Sequence, residues 1–278
     1  MPTRNEFSYI YGAARTPIGK FNGSLSSLSA PELGGIAIRE AVKRSGIPAE
    51  RISEAIMGNV LSAGIGQAPA RQAAIKGGLP YGTGATTVNK VCGSGLKAVM
   101  FADDSIRLRQ SAFVVAGGME SMSRVPYLLP NMRGGYKLGN ATMIDGVVHD
   151  GLCDTFTGCH MGELAERLKY GREAQDRFAE ESYRRARKAQ DDGLFSAEIA
   201  GVTVALDGKQ VVVDKDEQPY ANDLRKLRKL PLAFVKNGGT VTAGNASKLN
   251  DGAAALVLGA YDESLKPLAR VVCHATHS

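Results

Sequence analysis

Apolar and polar positions alternate first near the N-terminal end. Residues 7–16, FSYIYGAART, are rich in β-formers and predict a strand. Residues 29–46, SAPELGGIAIREAVKRSG, change to a helical pattern. Ser29 can cap that helix, Pro31 and Glu32 suit its first turn, and Gly46 can end it. ISEAIMGNVLS (52–62) is a second strand candidate, and QAPARQAAIKGG (67–78) is a short Ala-rich helix closed by glycines. TTVNKV (86–91) reads as a strand, GSGLKAVMFADDSIRLRQ (93–110) as a helix, and AFVVAGGMES (112–121) as a buried strand. Strands alternating with helices predict a mostly parallel sheet with crossover helices.

The alternation then breaks. Residues 121–160 carry Gly, Pro, Asn and Asp without clear periodicity, and a segment that long is usually functional or packs against a partner. Residues 161–192 are strongly helical, short strand candidates follow (VTVAL, QVVVD), and a basic helix-like piece lies near 222–230. This gives three parts: 1–120, an inserted unit over 121–243, and return strands over 244–278. PLARVVCHATHS reads as a last strand.

Composition narrows the class. The chain has 278 residues, 44% hydrophobic and 22% charged, with 33 glycines and no tryptophan, which suits a compact α/β protein with tight turns. The net charge of +6 fits an anionic small molecule or a nucleotide as well as it fits nucleic acid. The basic runs YRRARKAQ and LRKLRKL read as solvated faces, and without interleaved aromatics they do not point to nucleic acid. Four cysteines do not make a disulfide scaffold in a chain of this size. The N-terminal residues show no apolar signal core or Arg-rich leader, and no apolar run could span a bilayer. The expectation is therefore a cytoplasmic protein without a membrane partner.

Three stretches could carry chemistry. In TTVNKVCGSGLKAVM (86–100), Cys92 falls between a strand and a helix. The thiolate is the reactive form of cysteine, and a helix N-terminus favours negative charge. Gly93 and Gly95 would let a carbonyl approach closely; a buried structural cysteine in a Gly-rich turn is the plainer alternative. DGLCDTFTGCHMGE (150–163) gathers Cys153, Cys159 and His160, with His149 just before it, but its spacing matches no common zinc pattern. His160 reads better as a polar group in a mixed ligand pocket. TVTAGNASKLNDGAAALVL (240–258) places small residues before a buried strand, with Asn245 and Ser247 as hydrogen-bonding groups; a well-capped turn would look the same.

Together these stretches resemble the thiolase family, and its acetoacetyl-CoA thiolases (acetyl-CoA C-acetyltransferases) most of all. NKVCGSGLKAV resembles the family's acyl-cysteine motif, and VVAGGMESMSRVPY, DGLCDTFTGCHMG and TVTAGNASKLNDGAAALVL follow in family order. GAARTPIGKFNGSLSSLSAPELG and GQAPARQAA are further family-typical pieces. The resemblance implies an N-terminal lobe with a mixed five-stranded sheet, helices on both faces and an inserted loop domain. It implies acetyl transfer through an acylated Cys92, either joining two acetyl-CoA or cleaving acetoacetyl-CoA with CoA, in lipid and fatty acid metabolism. A broader 3-ketoacyl-CoA thiolase and a carrier-dependent ketoacyl synthase are the neighbouring activities.

By position, Leu152, His160, Met161, Phe234, Ala243, Ala246 and Ser247 match residues along the CoA path, and Tyr183 and Lys226 match positions near the nucleotide. No cofactor is implied beyond a potassium ion near Tyr183, Ala243, Gly244 and Ala246. PYLLPNMRGGYKLGN (126–140) falls where relatives carry a tetramerisation loop, which implies a homo-oligomer, dimer or tetramer. Tyr220 and Ala221 stand where relatives often place an arginine, and 160–178 is a few residues shorter than usual. The family's Gly-His-Pro histidine, second oxyanion-hole asparagine and acid–base cysteine belong to a second lobe, and none occurs in these residues. Cys273 and His274 lie outside those motifs. The expectation is an impaired activity for this chain, with apolar surface exposed where the second lobe packs. The alternative is a non-catalytic CoA-binding or oligomerising short form that joins full-length thiolase subunits.

Overall fold

A computed structural model describes residues 7–221 and 223–277. Strand β1 (Tyr9–Arg15) leads through the short β2 (Gly19–Lys20) to helix α1 (Ala30–Ser45). The Glu32 carboxylate accepts the Ser29 N–H and hydroxyl, at 2.8 and 2.7 Å, and Gly46 ends the helix at φ 68°. Strand β3 (Ile52–Gly58), helix α2 (Pro69–Lys76), strand β4 (Gly84–Val88), helix α3 (Ser94–Arg107) and strand β5 (Phe113–Ser121) follow.

The chain then leaves the sheet. It forms the pair β6 (Tyr127–Leu128) and β7 (Ile144–Asp145), helices α4 (Met161–Glu166) and α5 (Arg172–Asp191), and the hairpin β8 (Val202–Leu206) and β9 (Lys209–Val213). It returns as β10 (Asn250–Gly259) and β11 (Ala269–Arg270). The strand order is β11-β1-β10-β5-β3-β4, with β2 beside β10.

The α/β class holds, with a mixed sheet. Five strands are long, and the two-residue β2 and β11 extend them. The expectation of a mostly parallel sheet needs correction. Strand β3 is parallel to β4 and β5, whereas β10 is antiparallel to both β5 and β1. Only the α2 and α3 connections are crossovers that enforce parallel pairing. Strand β10 arrives from the long excursion and enters between β1 and β5 from the other end.

The strands bury both faces. Ala55, Met57, Val115, Ala255 and Val257 meet α1 and α2 in the larger core, while their neighbours Ile56, Val114, Ala116 and Leu258 meet Ala98, Ala102 and Ile106 of α3. A period of two in side-chain direction delivers alternate residues to opposite layers. Val202 and Val204 of β8 join the larger core.

Two sequence expectations shrink. The basic piece is a 3-10 turn over Leu224–Lys229, with Asn222 outside the described residues. The last strand keeps only Ala269–Arg270; beyond it Arg107 donates to the Val271 and Val272 carbonyls, and His274 lies 3.2 Å from Asp103 on α3. Among the described residues no helix is long and apolar enough to cross a membrane.

Candidate functional site

The turn between β4 and α3 is held by short polar contacts. Val91 has φ 47°, a left-handed conformation that a β-branched residue rarely adopts. Its N–H donates to Asn89 Oδ1 at 3.0 Å, and Ser94 Oγ donates to its carbonyl at 2.6 Å while accepting the Lys90 N–H at 2.8 Å. The bend carries Cys92 to the start of α3 with its side chain exposed.

Beneath it α3 rests on bare backbone. A Cβ on Gly58 would lie 2.6 Å from the Ser94 carbonyl carbon, and one on Gly118 would lie 3.3 Å from Gly95 Cα. Glycine is what permits these approaches.

Cys92 lines a cavity of about 400 Å³ at the sheet's edge, together with Gly58, Gly95, Gly118, Glu120 and Leu152. Its titratable side chains are Arg15, Cys92 and Glu120, and no histidine lines it. No side chain among the described residues hydrogen-bonds the Cys92 sulphur. Glu120 escaped the reading of the sequence, although a single carboxylate in the buried run AFVVAGGMES was the signal. Its oxygens accept Asn59 Nδ2 at 2.9 Å and the N–H groups of Val60 and Leu61 at 2.9 and 3.2 Å. Burial pushes its pKa above the usual carboxylate value, against the pull of those donors.

Leu152 also lines a second cavity of about 510 Å³, with His160, Met161, Phe234, Ala246 and Ser247. Six of the residues matched to the CoA path therefore meet in one space that abuts the cysteine cavity. His160 Nδ1 accepts the Gly162 N–H at 3.0 Å, and its ring stacks on Phe234 with centroids 4.7 Å apart. The Glu166 carboxylate accepts the Thr240 N–H and hydroxyl and the Val241 N–H, all at 2.8 to 3.0 Å. Burial works to raise the Glu166 pKa, but the bonds from Val241 and Thr240 outweigh it and hold the carboxyl below the ordinary value. Buried Asp176 accepts Arg172 Nε at 2.6 Å and Asn245 Nδ2 at 2.9 Å. These two carboxylates fix the 240–248 segment against α4 and α5.

The remaining matched residues are dispersed. Tyr183, Gly244, Ala246 and Ser247 line a third cavity of about 390 Å³ beside α5. Ala243 lines none of the three cavities, and its carbonyl accepts the Lys248 ammonium. Lys226 is exposed on its 3-10 turn, outside all three, and makes no salt bridge among the described residues.

Among the described residues, His149, Cys153, Cys159 and His160 do not bring their ligand atoms together. Cys153 faces His160 across an isolated bridge, and His149 pairs with Asp150 at 2.7 Å. The group whose ligand atoms approach one another is Asp103, Asp104 and His274, and its Asp103 is already bonded to Ser8 and Arg107. His274 is thus occupied on α3, and neither it nor Cys273 lines the Cys92 cavity.

A sheet layered between helices, with an exposed cysteine at a strand-to-helix turn that lines one of two cavities sharing Leu152, defines the α/β architecture of the chain. Residues 8–262 match the model of the thiolase N-terminal domain, and the chain belongs to the thiolase family. Acetyl-CoA acetyltransferase B, mitochondrial, of Xenopus laevis is 50% identical over 275 residues, 96% of this chain and 65% of the relative. The probable acetyl-CoA acetyltransferase of Dictyostelium discoideum is also 50% identical, over 96% of this chain and 66% of its own length. The mitochondrial acetyl-CoA acetyltransferase of Bos taurus is 48% identical over 283 residues, 99% of this chain and 66% of its own length. The chain thus spans about 65% of the length of the curated relatives it matches. The mitochondrial names overturn the cytoplasmic placement expected from the N-terminal residues. Lack of a leader-like pattern in a short stretch was too weak a basis for a compartment.

Proposed function

We propose that this chain is the Cys92-bearing portion of an acetyl-CoA C-acetyltransferase. The observation that carries the reading is the shared Leu152: the cysteine cavity and the cavity lined by His160, Met161, Phe234, Ala246 and Ser247 adjoin there. A thioester lying across both would place its acyl carbon at Cys92 and its pantetheine arm along the second space. The names of the relatives support the acetyl group as the cargo.

The chemistry is two acyl transfers through one cysteine. The Cys92 thiolate attacks the acetyl carbonyl, its sulphur–carbon bond forms, and the bond to CoA sulphur breaks. CoA leaves as its thiolate and takes up a proton. A second acetyl-CoA then loses an α-proton, and its carbon attacks the acetyl group on Cys92. A carbon–carbon bond forms, the Cys92–acyl bond breaks, and acetoacetyl-CoA leaves. Thiolysis is the reverse.

The Cys92 N–H at the start of α3 is the candidate oxyanion donor in both transfers. Lys226 is the candidate phosphate partner at the nucleotide end. The exposed Tyr127, Met132 and Leu138 of the β6–β7 excursion support self-association, with a homotetramer as the expected form.

With no histidine in its cavity and no side chain on its sulphur, Cys92 lacks a neighbour to take its proton. The 278-residue chain is therefore expected to turn over acetoacetyl-CoA and CoA slowly. The test is thiolysis by this chain and by Cys92→Ser, with CoA binding followed by calorimetry. Measurable CoA binding with slow, Cys92-dependent cleavage fits. No CoA binding, or cleavage that survives Cys92→Ser, overturns the reading.

A further inference from the structure

Asn59, Val60 and Leu61 leave the end of β3 and line the Cys92 cavity. One side chain of β5 holds all three. Glu120 Oε1 accepts Asn59 Nδ2 and the Leu61 N–H at 2.9 and 3.2 Å, and its Oε2 accepts the Val60 N–H at 2.9 Å. The carboxylate makes no salt bridge among the described residues. Taking a charge out of water without a countercharge is costly, so its place depends on those three donors. An amide could not replace it fully, because its NH2 would face one of the donors.

The turn that Glu120 holds touches both parts of the site. On one side the Asn59 N–H donates to the Val88 carbonyl at 3.0 Å, and Asn89 Nδ2 donates to the Val60 carbonyl at 3.4 Å. Asn89 Oδ1 in turn accepts the N–H of Val91, whose left-handed φ carries the chain to Cys92. On the other side the buried Leu61 packs on Gly151, where an added Cβ would lie 3.3 Å from Leu61 Cδ2. Gly151 precedes Leu152, the residue that the two cavities share.

We propose that Glu120 is a positioning residue for acyl transfer at Cys92, acting through the 59–61 turn on the Cys92 bend and on the junction at Leu152. None of its hydrogen bonds goes to a residue lining the second cavity. It therefore governs how fast the cysteine reacts, not how tightly the far end of the ligand is held. One arm of the test rests on the acetyl-transfer reading, and the other does not.

Two rates are measured for the unaltered chain, for Glu120→Ala and Glu120→Gln, and for Ala37→Gly, which weakens α1 away from both cavities. The first is alkylation of Cys92 by iodoacetamide, read by mass spectrometry against the exposed Cys273 as internal reference. The second is acetylation of Cys92 over a range of acetyl-CoA concentrations. Glu120→Ala should lower the Cys92-to-Cys273 alkylation ratio and the maximal acetylation rate about tenfold, with the half-saturating concentration within about twofold of the parent's. Glu120→Gln, which keeps one oxygen acceptor, should lose about threefold on both. Ala37→Gly should match the parent on both. Glu120 variants that alkylate and acetylate like the parent overturn the proposal. So does a loss that Ala37→Gly shares equally, or one confined to the half-saturating concentration. If acetyl-CoA labels no form of the chain, the acetyl-transfer reading fails and the alkylation ratio alone decides the role of Glu120. If Glu120→Ala does not fold, Glu120→Gln decides it.

Discussion

The cavity at Cys92 is walled largely by backbone, whereas the cavity beyond Leu152 is walled by side chains hung on polar clamps. In the first, Gly58, Gly95, Gly117 and Gly118 bring α3, β3, β5 and β10 into direct contact, and the cysteine's position follows from the sheet. In the second, His160, Phe234 and Ser247 sit on irregular segments that Glu166 and Asp176 tie down. The position of Cys92 is set by close backbone packing beneath its turn. The wall of the second cavity rests on individual hydrogen bonds that can be removed one at a time.

The largest effect that would break this contrast comes from placing the same methyl group in both regions. In Gly117→Ala the new Cβ would lie 2.0 Å from the Ala254 carbonyl oxygen and 2.9 Å from Ala255 Cα, both backbone atoms of β10. Destabilisation of about 3 kcal/mol is expected in urea unfolding. In Gly162→Ala the new Cβ meets the Phe234 ring at 2.2 Å, and that ring can turn away. Stability should change by less than about 1 kcal/mol while CoA affinity falls. Equal losses of stability would show that the two cavities are built alike.

A smaller effect isolates the clamp. Glu166→Ala leaves the N–H groups of Thr240 and Val241 without their acceptor. CoA affinity should fall about tenfold by calorimetry, while the rate of Cys92 alkylation by iodoacetamide stays unchanged. A matching fall in alkylation would mean that the clamp also shapes the Cys92 turn. Smaller still, Lys226→Ala should weaken CoA about threefold at low salt and have no effect at high salt.

The smallest effect is a difference in sign. The Glu120 carboxyl is held above its reference value of 4.5 and Glu166 below it. The native state binds the Glu120 proton more tightly than the unfolded state does. Its contribution is present below about 4.5 and is lost as pH rises through the folded-state pKa. Glu166 does the opposite: its contribution is present above about 4.5 and is lost as pH falls through its own lower value. Carboxyl carbon shifts followed by NMR should place the two midpoints on opposite sides of 4.5. Coincident midpoints would contradict the account of burial at one and donors at the other.

The elements legible in the sequence were those with local causes. Helix α1 carried its own capping residues, and β5 and β10 were continuous apolar runs. The β6–β7 pair was not legible because Tyr127 meets Asp145 across a long excursion, and such pairing leaves no periodic trace. The antiparallel entry of β10 was hidden for the same reason. At the site, Cys92 stood out by its position, whereas the matched CoA-path residues came from family likeness rather than from their own pattern. Of these, Leu152, His160, Met161, Phe234, Ala246 and Ser247 share a cavity, and Lys226 and Ala243 lie apart from it.

The most direct test is to expose the chain to acetyl-CoA and map the acetyl group by tandem mass spectrometry. Cys92 and Cys273 are both exposed, while Cys153 and Cys159 are partly covered. Cys92 alone of the four lines the first cavity, which shares Leu152 with the second. The account predicts acetyl on Cys92 and none on the other three. Acetyl on Cys273 to the same extent, or on no cysteine at all, would contradict it.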